Sequence, residues 1–271
     1  MNPLSIRNLF KSIATNRELI YQMTEREVLG RYRGSIFGIA WSFLNPILML
    51  VIYTLVFSVV FKARWGFSTS ESKVEFALIL FTGMIVFNFF AEVINRAPFL
   101  IIHNVNYVKK VVFPLEILSI VSIGAALIHA FISFLILFVG LVALDGPTNL
   151  TILYVPVIFI PFIVMSLGIS WILASLGVYI RDISQVIGVF TSVLMFLSPV
   201  FYPLDSLPAE LRIWVMLNPA TFIIEQVRQV VIVGDLPDWG GLGLYAVIAI
   251  FLMYGGYVWF QKTRRGFADV L

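Results

Sequence analysis

The chain has 271 residues, of which 60% are hydrophobic and 12% charged, and its mean hydropathy is +0.98. A water-surrounded globule of this size cannot carry so much apolar surface, so the excess must face lipid. The net charge of +3 does not mark a nucleic-acid binder, because the cations flank apolar stretches instead of forming a soluble basic domain.

Residues 1–11 lack a continuous apolar run before the charges resume, so no cleavable signal is expected and the first span directs insertion. Ile6, Leu9, Phe10, Ile13 and Ile20 recur at near-helical spacing with Arg7, Lys11 and Arg17 between them. This pattern predicts an amphipathic interfacial segment over 1–33, a loose cytoplasmic tail being the alternative. Thr15 with Glu18, and Thr24 with Glu27, have capping-box spacing and predict restarts of the helix. Gly30, Gly34 and Gly38 follow every fourth residue, a spacing that would let another helix approach closely.

A hydrocarbon core of about 30 Å needs roughly 20 helical residues. Stretches free of Asp, Glu, Lys and Arg cover 34–61, 117–144, 146–180, 183–204 and 239–261. A sixth, 76–91, is shorter but continues past Glu92 and Arg96, an i,i+4 pair with the acid first. The expectation is an all-α membrane protein with spans at about 35–61, 76–98, 115–144, 152–178, 184–204 and 239–261. Asn45 and Pro46 should kink the first span and let it border a cavity. Between the second and third spans, residues 96–114 are too polar to cross; they read as a short docking helix or as an ordinary loop.

Pro199, Pro203, Pro208, Pro219 and Pro237 crowd the region before the last span. Its apolar piece, 213–224, is too short to cross and suits a re-entrant pair of helices over about 205–233. Pro208 and Glu210 would open one of them, and Asn218 and Pro219 would end it before a second begins. With six spans both termini share a side, together with Arg7, Lys11, Arg17, Arg26, Arg31, Arg33, Arg96, Lys109, Lys110, Arg181, Lys262, Arg264 and Arg265. The opposite side has Lys62, Arg64, Lys73, Arg212 and Arg228. The positive-inside rule therefore puts both termini, including the tail 262–271, in the cytoplasm.

There is no cysteine, which excludes disulfides, thiolate metal sites and thiol catalysis. His103 and His129 lie in different segments, with no carboxylate near in sequence and no metal-ligand spacing, so no catalytic or metal residue is expected. His129, in mid-span, is either a proton relay or a neutral side chain bonded to a neighbouring helix. No GxxxxGK[ST] loop occurs, so the chain does not hydrolyse ATP, and any energy for transport comes from another subunit. Lipid packing and interfacial belts account for most of the aromatic side chains, including Phe43, Phe89 and Phe90. A minority could line a path and stack on sugar rings.

The run Arg31-Tyr32-Arg33-Gly34-Ser35-Ile36-Phe37-Gly38, with Trp41 and Asn45-Pro46 after it, resembles the opening of ABC-2 type permeases that export polysaccharides or polyol phosphates. Lys109-Lys110-Val111-Val112-Phe113-Pro114, Tyr179-Ile180-Arg181-Asp182-Ile183, Ser198-Pro199-Val200-Phe201-Tyr202-Pro203, and Asn218-Pro219 with Arg228 follow in the family's order. Phe267-Ala268-Asp269-Val270-Leu271 closes the chain as in O-antigen exporters.

The resemblance implies an ABC-2 type exporter fold, a homodimer of six-span subunits in the bacterial inner membrane, and two copies of an ATP-binding-cassette ATPase. ATP and Mg2+ belong to that partner, and this chain has no cofactor of its own. The cargo would be a lipid-linked glycan, O-antigen-like on undecaprenyl pyrophosphate. Teichoic acid, capsule polysaccharide or a small amphiphile are the alternatives in transport, and an intramembrane lipid-modifying enzyme the alternative outside it. Residues 103–113 become the coupling helix, with Asn104, Tyr107, Lys109, Lys110 and Phe113 against the ATPase. Pro199, Pro203, Asn218, Pro219 and Arg228 become the outer gate. Arg26, Arg31 and Arg33 stand where the collar meets the first span and would receive the pyrophosphate, since arginine suits bidentate phosphate contact. Anionic-lipid anchoring is the competing role for each. Trp41, Tyr53, Phe57, Phe87, Phe196, Phe201 and Tyr202 would guide the sugars.

Overall fold

The computed structural model describes residues 5–56, 73–109, 113–145 and 149–271, and among these every regular element is helical. Phe57, Lys62, Arg64 and Lys110 lie outside the described residues.

Helices α1 (Ile6–Thr15) and α2 (Arg17–Arg31) are separated at Asn16, where the backbone N–H and the side-chain amide both donate to the Ser12 carbonyl, at 3.0 and 2.7 Å. The segment restarts there and not at Thr24. The Thr24 hydroxyl bonds back to the Ile20 carbonyl at 2.8 Å within an unbroken α2, and Glu27 pairs with Arg96 instead of capping.

A turn then leads into α3 (Trp41–Tyr53). Gly34 and Gly38 have φ of 86° and 51° in this turn, a region that glycine enters without a Cβ clash. Nothing lies within 4 Å of where a Cβ would stand at Gly30, Gly34 or Gly38. Gly34 and Gly38 therefore shape a turn, and within the chain none of the three glycines forms the helix contact expected of them. That contact is made between α7 (Val155–Tyr179) and α11 (Trp239–Thr263). A Cβ on Gly168 would meet the Leu252 carbonyl oxygen at 2.6 Å, and one on Gly256 would meet the Gly168 oxygen at 2.2 Å.

The central helix is α4 (Lys73–Arg96), the span with the shortest charge-free stretch. It is apolar around its whole circumference and buried along most of its length, as a helix enclosed by others must be. The expected Glu92–Arg96 pair does not form: Glu92 pairs with Arg31 and Arg96 with Glu27, both on α2. Short α5 (Val105–Lys109) precedes α6 (Ile117–Asp145).

Helix α8 (Ile183–Phe196) has 14 residues, about 21 Å at 1.5 Å per residue, and so ends before the expected 204. The freed Leu194 carbonyl is taken by the Ser198 hydroxyl at 2.7 Å and the Asn218 amide at 3.2 Å. Pro199 next in line has no N–H to continue the ladder. The proline-rich region forms α9 (Ala209–Met216) and α10 (Pro219–Arg228). Asn218 caps α10 by accepting from the Ala220 N–H at 3.0 Å, with Pro219 in the first position.

Among the described residues, five helical stretches are long and apolar enough to cross a membrane: Gly38–Val56, Phe76–Phe99, Ile117–Ala143, Leu150–Tyr179 and Trp239–Val270. Helix α8 is a shorter apolar helix. One core surrounds α4, where Phe89, Phe90, Phe159 and Phe162 interlock. A second collects Leu9, Met23, Phe113, Trp171, Phe260 and Phe267, where α1, α2, α5 and α12 (Phe267–Val270) gather at one end. Buried Glu116 ties that end together. Its carboxylate accepts from Ser12 at 2.9 Å and pairs with Arg264 at 3.0 Å, while its carbonyl accepts from the Trp171 indole at 3.0 Å.

Candidate functional site

Helices α3, α4 and α6 enclose a cavity of about 250 Å³, bounded on one side by the end of α2. Trp41, Ser42, Asn45, Pro46 and Tyr53 line it from α3, Asn88 and Glu92 from α4, and His129 and Ser133 from α6. The proline-bearing face of the first span thus borders a cavity, as its sequence implies.

The floor is ionic. Arg31, the last residue of α2, pairs with Glu92 and donates toward His129 Nδ1 at 2.9 Å. That same Nδ1 lies 3.2 Å from the second Glu92 oxygen. The Tyr32 hydroxyl faces His129 Nε2 at 3.4 Å, and burial holds its phenol above the ordinary range, against the pull of Arg31. The side chains of Arg31, Glu92 and His129 are 26%, 20% and 16% exposed. At that burial a lone carboxylate would be strongly disfavoured, so the basic partners are what make Glu92 tolerable on an apolar helix. Above the floor, the Trp41 indole donates to Ser35 at 2.9 Å and meets Phe37 edge-on at 5.7 Å, which fixes its ring at the mouth.

The three arginines marked for phosphate are not gathered at one point. Arg31 lines the cavity, Arg26 donates to the Tyr107 hydroxyl at 3.2 Å, and Arg33 is exposed beside a shallow groove that it shares with Arg26. The aromatic set divides as well. Trp41 and Tyr53 share the cavity, whereas Phe87 is 3% exposed and packs in the core. Phe196 stacks on Phe201 at 6.1 Å and its carbonyl accepts from Tyr202 at 3.0 Å, a separate group at the end of α8.

Among the described residues of the segment expected to couple, the α-helix is α5. Tyr107 stacks on Phe113 at 4.4 Å, the Asn104 amide holds the Leu100 carbonyl at 2.8 Å, and Lys109 is exposed.

Four of the five expected gate residues share one network. Arg228 donates to the carbonyls of Ile79 at 3.2 Å, Val200 at 2.9 Å and Pro199, and pairs with Glu225 at 3.2 Å. Asn218 donates to Ser198 at 2.7 Å, and the Pro219 carbonyl accepts from Tyr245 at 2.8 Å. Pro203 stands outside this network, its carbonyl accepting from Ser206. Gly83 leaves room for the guanidinium, since a Cβ there would sit 2.7 Å from Arg228 Nη2. Sequence reasoning missed Glu92 and Asn88 as site residues, and the Glu92–His129 contact spans 37 positions, beyond any local pattern. The legible signal was only that each ionisable group sits inside an apolar helix.

An all-helical, multi-pass membrane protein whose helices enclose a polar, ion-paired cavity is of the transporter type. Residues 18–232 match the model of the ABC-2 type transporter family, and the chain belongs to that family. The O-antigen export system permease protein RfbA of Myxococcus xanthus is 26% identical over 264 residues, 96% of this chain and 98% of the relative. A protein of the same name from Klebsiella pneumoniae is 24% identical over 255 residues, 94% and 95% of the two chains. The polysialic acid transport protein KpsM of Escherichia coli is 22% identical over 243 residues, 89% and 91%. The chain is a transmembrane transport subunit, and ATP hydrolysis resides in a separate subunit.

Proposed function

We propose that the chain is one of two identical subunits of a bacterial inner-membrane exporter for a polysaccharide carried on a lipid pyrophosphate. The observation that carries this reading is the cavity at the end of α2, where Arg31 stands below an aromatic and amide wall of Trp41, Asn45, Tyr53 and Asn88. A guanidinium suits a phosphate, and flat rings with amides suit the sugar next to it. The relatives named for O-antigen export support the cargo class. In this reading α8 and the turn after it make the sixth crossing, α9 and α10 form the outer gate that Arg228 holds, and both termini face the cytoplasm. Two ATPase subunits, which bind ATP and Mg2+, dock on the end built from α1, α5 and α12.

The test replaces Arg31 by Gln, and by Lys to keep the charge, in cells that depend on the exporter. Surface glycan should disappear in Arg31→Gln and partly return in Arg31→Lys, while the ATPase still co-purifies. Full glycan display by Arg31→Gln would refute the assignment. A capsule-type cargo on a glycerophospholipid, favoured by the likeness to the polysialic acid transport protein, would leave export intact when undecaprenyl pyrophosphate synthesis is blocked.

A further inference from the structure

Among the described residues that line the cavity, Arg31 is the one permanent cation, yet Glu92 already neutralises it. An anion entering the cavity must therefore compete with Glu92, unless Glu92 has another partner to take. His129 provides one. Its Nδ1 lies 2.9 Å from Arg31 and 3.2 Å from Glu92. One ring nitrogen cannot accept from Arg31 and donate to Glu92 at once. The trio therefore has two hydrogen-bond arrangements, chosen by a single proton. With His129 neutral, Arg31 donates to both partners and the three charges sum to zero. With His129 protonated, Nδ1–H donates to Glu92, the imidazolium repels Arg31, and the sum is +1.

Resting on the reading that Arg31 meets the cargo's pyrophosphate, we propose that Glu92 is a displaceable internal counter-ion and His129 the proton acceptor of an anion-binding site. The entering phosphate takes Arg31, one proton from water goes onto His129, and Glu92 passes from the guanidinium to the imidazolium. The groups that face His129 support a simple count. The end of α2 brings Arg31 and Tyr32, and α4 brings Glu92. Helix α3 brings Tyr53 to the cavity, and neither α3 nor α7 carries a charged residue. The Glu27–Arg96 pair, one helical turn away on the same two helices, is already balanced.

Binding then takes up about one proton, so affinity weakens as pH rises, by about tenfold per pH unit wherever the occupied site holds one proton more than the free one. The site recognises a phosphate anion, which a lipid headgroup or a free phosphate could supply.

The experiment is calorimetric titration of the full chain, co-purified with its ATPase, in phosphatidylcholine nanodiscs. Farnesyl pyrophosphate is the probe, at pH 8 in two buffers of different ionisation enthalpy, where the probe's own phosphates are already ionised. The wild-type complex should take up about one proton per probe, a result that needs no variant to fold. In Glu92→Gln the proton uptake should vanish and affinity at pH 8 should rise about tenfold. His129→Gln should bind weakly at every pH with no proton uptake. Inorganic pyrophosphate should bind at least tenfold more weakly than the farnesyl probe; equal binding would give the site to free phosphate and overturn its assignment to the cargo. Wild-type binding without proton uptake would overturn the exchange while leaving Arg31 as the phosphate contact. Unchanged binding by Arg31→Gln would instead overturn the reading on which the exchange rests.

Discussion

Arg228 donates to the Pro199 and Val200 carbonyls, which the end of α8 leaves open, and to the Ile79 carbonyl inside α4, so one side chain ties that turn to the central helix. Replacing it by Met would keep most of its volume but take the donor from the Pro199 and Val200 carbonyls. The Arg228→Met protein should lose about 3 kcal/mol, read as a lower thermal midpoint in detergent. An unchanged midpoint would show the clamp to be dispensable. Arg31 is held differently, by side chains only, one of which has a second partner within reach. That difference separates a side chain fixed as a structural tie from one able to exchange. The sequence marked both arginines through motifs, but their partners lie 61 and 149 positions away for Glu92 and Ile79. Partners at such separations leave no periodic trace.

Among the elements, α7 and α11 meet backbone on backbone at Gly168 and Gly256. Valine at Gly256 would place its Cβ 2.2 Å from the Gly168 carbonyl, a distance that forces the helices apart and strips their facing side chains of contacts. Gly256→Val should therefore fail to give a monodisperse peak on gel filtration, whereas Gly243→Val, where a Cβ meets open space, should behave as wild type. These glycines were invisible to sequence reasoning because Gly168 and the Gly255–Gly256 pair lie in two distant spans with no repeat between them, while Gly34 and Gly38 of the regular series serve a turn. Charge-free length located α6, α7 and α11 well, because lipid penalises unpaired charge directly. It undervalued α4, whose Glu92 and Arg96 find partners on α2, and it overran α8, because the Ser-Pro that ends that helix carries no charge to count.

At the scale of the whole molecule, Glu116 links the interfacial helix α1, the third and fourth spans and the C-terminal end. It is 6% exposed, and Arg264 also holds the Phe113 carbonyl at 2.8 Å. Glu116→Ala would strip Ser12 of its acceptor and Arg264 of its counter-ion at once. Recovery of the ATPase on the purified chain should drop several-fold while the spans stay folded, as judged by an unchanged gel-filtration profile. Undiminished recovery would separate this end from the ATPase contact. None of these links is local, so the sequence showed the amphipathic pattern of α1 but not what that helix is fastened to.

Helix α3 leaves Ile47, Leu48, Met49, Val51 and Ile52 exposed and meets the rest of its chain along an edge facing α4 and α6. In the order of synthesis it enters the bilayer before either helix it rests on has left the ribosome. It must wait in lipid or in the insertion machinery until α6 is made, and the pocket stays open until then. A nascent chain halted short of His129 leaves Glu92 in the membrane with Arg31 as its one counter-charge on the pocket wall. The cavity is therefore a late product of biogenesis, closed only after all three of its helices have been made.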